Sequence, residues 1–250
     1  MANIWEEEFK IRAYEVGTNA KLSMPSLCNY LQETAGNHAG KLGVAVDQLL
    51  KKNITWVLSR LHVQMTRYPF WREAITIKTW PAEVDRFHAI RDFELFDERS
   101  LPVGRATSSW MLLDIKERKT VPIPDYINVM HLDSPGRAID DPFDKLPLMQ
   151  RMQYEKRFHV RMNDLDVNRH VNNVTYIEWA LEAVPEEIYN KGYLLNLEIN
   201  FRAESNYGDL VLSQNESQQS DTNMILIHRL TREEDEKELA RLRTQWQLKR

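Results

Sequence analysis

Apolar and polar positions alternate with period two near the end of the chain: Ala240, Leu242, Trp246 and Leu248 interleave with Arg241, Arg243, Gln245, Gln247 and Lys249. Leu197, Ile199, Phe201 and Ala203 interleave in the same way with Glu198, Asn200, Arg202 and Glu204. Such alternation predicts antiparallel strands covered on one face only. Helical spacing takes over in two places. In residues 25–42 the stripe is Leu27, Tyr30, Leu31, Thr34 and Ala35; Ser23 stands where a cap belongs, Pro25 suits the first turn and Gly43 follows as a stop. The second stripe is Val174, Ile177, Ala180, Leu181 and Val184, widened by Tyr176 and Trp179 and ended by Pro185. Asn172 or Asn173 is placed to cap it.

Taken in order, the elements form one unit twice. A strand-like Phe9-Lys10-Ile11-Arg12 precedes the first helix, and strand candidates follow at 55–66, 74–80, 88–96 and 105–115. Residues 116–151 carry five of the ten prolines (Pro122, Pro124, Pro135, Pro142 and Pro147) with little periodicity, and read as a linker. Phe158-His159-Val160-Arg161 then echoes the opening strand, and strands are expected at 194–203, 209–214, 222–231 and 238–248. Trp71-Arg72-Glu73 matches Tyr207-Gly208-Asp209 at an offset of 136 (207 − 71), as Arg105 matches Arg241. The expected architecture is α+β: two repeats, 1–115 and 152–250, each a long helix wrapped by a curved antiparallel sheet.

Composition narrows the function classes. The chain of 250 residues is 42% hydrophobic and 28% charged, enough for a real core, and its net charge of −4 favours neither nucleic acid nor an anionic membrane. The single Cys28 excludes an internal disulfide and falls on a helix stripe, where buried core is expected. No apolar run reaches the ~20 residues of a membrane span. The first residues, with Glu6-Glu7-Glu8, are acidic where a signal or transit peptide is basic, so a cytoplasmic protein is expected.

The candidate chemistry lies just ahead of the second helix. Asn163 to Asn173 crowds carboxylates, amides and the His170 imidazole into a stretch with no periodicity. A loop of that kind, feeding a helix N-terminus whose free N–H groups favour negative charge, suits a reaction through an oxyanion. The plain alternative is an ordinary loop, since Asp and Asn are common cap and turn residues.

The string Asp164-Leu165-Asp166-Val167-Asn168-Arg169-His170-Val171-Asn172-Asn173 resembles that of the acyl-acyl carrier protein thioesterases. So do Phe201-Arg202-Ala203-Glu204, Ile11-Arg12-Ala13-Tyr14-Glu15-Val16-Gly17, Leu31-Gln32-Glu33-Thr34-Ala35 with Asn37-His38, and Lys52-Asn53-Ile54-Thr55-Trp56-Val57. The resemblance implies a double hot-dog fold and hydrolysis of the thioester that joins a fatty acid to the carrier's phosphopantetheine. It implies catalytic residues at Asp166, Asn168, His170 and Glu204, the carrier protein as partner, and no metal or organic cofactor. The residues it marks all lie in the second repeat, which is therefore the catalytic one. Plant members carry a cysteine after the glutamate; here it is Ser205, which argues against an obligatory thiol nucleophile.

Chemically, Glu204 or His170 is the candidate base, with Asp166 orienting Asn168 or His170. The N–H groups opening the second helix, with the Asn168 amide, are the candidate oxyanion donors. Glu204 lies on the polar face of its strand, so it reaches the site only if the strand ends or bends at Ser205-Asn206-Tyr207-Gly208. Aligning Tyr30 with Tyr176 gives a helix offset of 146 (176 − 30), which sets Leu22 against Asn168 and Met24 against His170. The 136 offset sets Tyr68 against Glu204. On that alignment the first repeat offers apolar and aromatic groups, suited to a hydrocarbon tail. An acyl-CoA thioesterase and a non-catalytic acyl-binding protein are the competing classes, and Lys51-Lys52 is a weak candidate docking point for an acidic carrier. Monomer and homodimer both remain open.

Overall fold

A computed structural model describes residues 3–220 and 223–248, and the chain divides into two units, Met1–Pro142 and Phe143–Arg250. The first begins with β1 (Trp5–Lys10), whose Trp5, Glu7 and Phe9 turn inward while Glu6, Glu8 and Lys10 face out. Helix α1 (Met24–Lys41) follows. Ser23 caps it by accepting from the Ser26 N–H, Pro25 sits in its first turn, and Gly43 leaves it at φ +77°. A short α2 (Val46–Leu50) leads to β2 (Ile54–Met65), β3 (Ala74–Val84), β4 (Ala89–Asp97) and β5 (Pro102–Asp114). The antiparallel order is β1-β3-β4-β5-β2. Leu27, Leu31, Ile75, Ile77 and Leu95 are fully buried between helix and sheet. Each contributes about 1.5–3 kcal/mol of hydrophobic stabilisation.

The proline-rich stretch belongs largely to this first unit. It forms β6 (Lys119–Val121), paired with β5, and α3 (Asp125–Asn128). Ile123, Ile127 and Ile139 are buried. The carboxylate of Asp92, fully shielded from water, accepts from the Ala138 N–H at 2.6 Å and from Arg137 at 3.2 Å. A buried charge requires such donors, so this segment is tied down despite lacking periodicity.

The second unit repeats the plan with β7 (Tyr154–His159), α4 (Asn173–Glu182), α5 (Glu186–Lys191), β8 (Gly192–Phe201), β9 (Leu210–Ser220), β10 (Asn223–Arg232) and β11 (Glu238–Leu248). Its antiparallel order, β7-β9-β10-β11-β8, is the first unit's order again. Among the described residues no helix is long and apolar enough to cross a membrane.

Hydrogen bonds fix the internal alignment. Thr66 and Arg67 N–H share the Val103 carbonyl, as Arg202 and Ala203 share that of Leu239, which confirms the 136 offset (202 − 66) for the strands. The helix and its preceding loop follow a different number. Ser23 N–H donates to the Glu15 carbonyl as Asn172 does to Asp164, and Gly17 N–H donates to Lys21 as Asp166 does to His170. The offset there is 149 (172 − 23), not 146. Ring contacts agree: Phe9 stacks on Tyr30 at 4.3 Å, and Phe158 stacks on Trp179 at 5.8 Å. Tyr30 therefore corresponds to Trp179, and Tyr176 to Leu27. The counterparts of Asp166, Asn168 and His170 are Gly17, Asn19 and Lys21, so the matches of Leu22 and Met24 with the reactive positions do not hold. Repeats with helices of different length cannot share one offset, and two tyrosines one turn apart invited the wrong choice.

Candidate active site

The loop before α4 is built by short-range hydrogen bonds. Asp164, 3% exposed, accepts from the Arg161 backbone N–H at 2.7 Å and from the Arg161 side chain at 2.8 Å. Burial pushes its carboxyl up, yet the Arg161 hydrogen bonds hold it below the usual carboxylate range. A bridge between Leu165 and Val171 then pinches the chain into a loop of five residues, with Arg169 at φ +64°.

Asp166 organises that loop. Its N–H donates to the His170 carbonyl at 2.8 Å, and one carboxylate oxygen accepts from the N–H groups of Asn168 at 2.8 Å and His170 at 3.3 Å. The other oxygen takes the Asn168 side-chain amide at 3.4 Å. Asp166 thus orients both Asn168 and His170, mainly through their backbones. Asn172 caps α4, its side-chain oxygen accepting from Val174 N–H at 2.9 Å and its carbonyl from Thr175 N–H at 3.0 Å. Those two helix-opening groups are therefore engaged by the cap. Of the donors considered for the oxyanion, the Asn168 amide stands exposed on the loop.

Glu204 joins the loop because its strand ends. Strand β8 stops at Phe201, and the shared Leu239 carbonyl marks the bend in the backbone beyond it. The bend is anchored to the loop by Val171 N–H donating to the Ser205 carbonyl at 3.1 Å. As a result His170 Nε2 lies 3.5 Å from a Glu204 carboxylate oxygen. Their side chains are 33% and 40% exposed, so water reaches both groups. Ser205 is fully buried, and its hydroxyl donates to Asp209 at 2.8 Å. The same Asp209 oxygen accepts from Asn206 N–H at 2.9 Å and faces Arg232 at 3.5 Å, while Arg232 reaches the Glu204 carbonyl at 3.4 Å. Sequence patterning missed Asp209 and Arg232 as site residues; Asp209 lies just before β9 and Arg232 ends β10, so they meet only under the turn. Cys28 lies in the first unit, 1% exposed, its thiol pushed up to about 12 by burial.

The four residues Asp166, Asn168, His170 and Glu204 thus share one loop-and-turn end of the second unit, in the arrangement of a tandem hot-dog protein. The chain belongs to the acyl-ACP thioesterase family: the family's N-terminal domain model matches residues 2–130 and its C-terminal domain model residues 149–248. Among similar proteins, a chloroplastic acyl-[acyl-carrier-protein] hydrolase of Cuphea viscosissima is 31% identical over 260 residues, 98% of this chain. The chain spans 63% of that relative's length. A chloroplastic oleoyl-acyl carrier protein thioesterase of Arabidopsis thaliana is 30% identical over 282 residues, covering 98% of this chain and 77% of that protein. The solved 12:0-ACP thioesterase of Umbellularia californica superposes with TM-score 0.89 at 29% identity, over 99% of this chain and 95% of that one. An acyl-ACP thioesterase of Bacteroides thetaiotaomicron does so with TM-score 0.88 at 26% identity, over 98% of each chain.

Proposed function

We propose that this protein hydrolyses the thioester of fatty acyl-acyl carrier protein, releasing the free fatty acid and ending chain elongation. The observation that carries the reading is the 3.5 Å approach of His170 to Glu204 beside the Asp166-ordered Asn168. A candidate base and a second polar group thus meet where water reaches both, and the Asn168 amide stands exposed on the same loop. Water adds to the thioester carbonyl carbon as its proton passes to Glu204 or His170. The tetrahedral oxyanion, held by the Asn168 amide, collapses with cleavage of the C–S bond. The thiolate leaves and takes up a proton. General-base help of this kind is worth typically ~10²–10⁴-fold in rate.

The family supports the carrier protein as handle, and so does surface charge. Lys10, Arg12 and Arg72 outnumber Glu8 around a cleft of about 410 Å³ on the first unit, lined also by Tyr30 and Trp71. Arg72 stacks on Trp71 at 4.3 Å, and Lys21 on Phe70 at 5.4 Å. Three cations gathered around one cleft suit an acidic protein better than the Lys51-Lys52 pair, where Lys52 lies over the Tyr126 ring at 4.0 Å. The first unit remains the proposed home of the acyl chain, on the strength of its apolar helix–sheet core and the absence of the second unit's reactive set at Gly17, Lys21 and Tyr68. A cytoplasmic setting and a monomeric or homodimeric state belong to the same proposal.

The deciding experiment presents one acyl chain on carrier protein and on CoA in parallel. A higher kcat/KM for the carrier thioester is expected. Equal or better use of acyl-CoA points to the acyl-CoA thioesterase reading, and no turnover of either to a binding protein.

A further inference from the structure

Beside the turn that carries Glu204, the second unit has a polar cleft of about 360 Å³ lined by Asn200, Arg202, Lys237 and Glu238. Asn200 and Arg202 precede Glu204 by four and two residues, so the chain keeps their backbones within about 14 and 7 Å of it. Lys237 and Glu238 stand just ahead of Leu239, whose carbonyl takes the Arg202 and Ala203 N–H groups at the bend.

The two units use these positions differently. The 136 offset fixed by the shared carbonyls sets the four residues against Gln64, Thr66, Leu101 and Pro102, none of them charged. In the first unit the polar groups are spent internally. The Gln64 amide oxygen accepts from Arg105 at 2.7 Å, its nitrogen lies 3.3 Å from His62, and the Thr66 hydroxyl donates to the Val103 carbonyl at 3.1 Å. In the second unit Arg241 stands in the place of Arg105 but turns to Glu238, donating to both carboxylate oxygens at 2.8 Å, and to the Leu146 carbonyl at 3.0 Å. Asn200 is thereby released, and its side chain makes no hydrogen bond among the described residues.

The charge balance follows. Arg241, itself buried, neutralises Glu238. Arg202 stands 3.8 Å from that carboxylate, beyond hydrogen-bond reach, and Lys237 has no acidic partner among the described residues. Of the acids just before Lys237, Glu233 pairs with Arg157 and Asp235 with Arg232, while Glu234 and Glu236 lie outside the cleft lining. Two cations and an amide are thus gathered as donors with no acceptor of their own. That is the set that recognises phosphate oxygens.

We propose that this cleft is a phosphate site, holding the phosphate that ends the substrate's phosphopantetheine arm while the thioester lies at Glu204 and His170. Arg202 supplies a planar fork of N–H donors, Lys237 a point charge and Asn200 an amide N–H. Carrier protein and CoA share that phosphate, so the site adds affinity for either thioester without choosing between them. That the phosphate arrives on a thioester's arm rests on the function proposed above; the anion site does not.

Binding is to be measured first, with unacylated probes that need no turnover. Phosphopantetheine is expected to bind the wild type at least about tenfold more tightly than pantetheine, with a preference that shrinks as salt is raised. Arg202→Gln and Lys237→Gln, both at exposed positions, are each expected to cut that preference by about fivefold or more at an unchanged thermal midpoint. No preference in the wild type, or one that both variants keep, overturns the proposal. Turnover comes second. The ratio of KM for an acyl-pantetheine to KM for the same acyl-phosphopantetheine is expected to fall in both variants, with kcat within about twofold. Equal rises in the two KM values, or a fall in kcat alone, make Arg202 a support of the Glu204 turn rather than a phosphate ligand and overturn it as well. A wild type that hydrolyses neither thioester, yet shows the preference and loses it in the variants, keeps the phosphate site and removes the proposed function instead.

Discussion

His170 Nε2 and a Glu204 carboxylate oxygen stand 3.5 Å apart, although one ends a loop ahead of a helix and the other lies past the end of a strand. Neither side chain is buried deeply enough for the contact to serve stability, since exposed ion pairs contribute about 0–1 kcal/mol. Its place is in the chemistry proposed above.

His170→Ala and Asn168→Ala should each lower kcat by at least ~10²-fold with little change in thermal midpoint, because both side chains stand on the loop rather than in the core. Turnover and melting are to be measured on the same samples. A variant that is fully active, or inactive only because it has unfolded, takes that residue out of the mechanism.

Asp166 acts through its acceptor oxygens, so its variants should rank by what they retain. Asp166→Asn keeps one oxygen for the Asn168 and His170 N–H groups, and Asp166→Ala keeps none. The alanine variant is expected to lose roughly 1–3 kcal/mol of loop order, seen as faster amide exchange at Asn168 and His170, and more activity than the asparagine variant. Equal exchange in the two variants contradicts the assignment.

Cys28→Ser should keep most of its turnover. The thiol is 1% exposed and pushed up to about 12 by burial, so it stays protonated and unreactive across the working range. Labelling by a thiol reagent should track unfolding. Rapid labelling of the folded protein together with loss of activity overturns water attack.

Acid should destabilise the fold before the carboxylates titrate. Burial, with Arg91 and then Lys41 nearby, lowers His38 to about 4, and burial lowers His228 to about 3. Both are neutral in the folded state, while in the unfolded chain they take up protons near 6.5. Their stabilisation is full above about pH 6.5 and is lost as pH falls towards 4 and 3, each tenfold loss of proton affinity on folding being worth on the order of 1.4 kcal/mol. The thermal midpoint of His38→Gln should fall less steeply over that window than that of the wild type. Parallel curves exclude His38 as a source of the acid sensitivity.

Charge on the first unit should govern use of the carrier. Lys10→Glu with Arg72→Gly is expected to raise KM for acyl-carrier protein by about tenfold and flatten its salt dependence, leaving acyl-CoA turnover alone. Arg72→Gly is conformationally gentle: Arg72 holds φ +75°, where its counterpart Gly208 holds +89°. Equal effects on both thioesters point away from docking.

The sequence by itself determined the elements whose causes are local. Ser23 and Asn172 cap the two helices because a short polar side chain next to an apolar stripe has few other uses. Alternation placed strands β8 and β11, and the Asp164–Asn173 string marked the candidate loop. Tertiary structure decided what depends on partners distant in the chain. Glu204 is on the wrong face by alternation and joins His170 only because two N–H groups share the Leu239 carbonyl and bend the strand. The stretch read as a linker is ordered by Asp92, a buried carboxylate that takes donors wherever the chain supplies them. Repeat matching by residue type paired Tyr30 with Tyr176, whereas the hydrogen-bond frame and the stacked rings pair it with Trp179. Side-chain likeness carries no register; backbone hydrogen bonds do, and they form only once the sheet is folded.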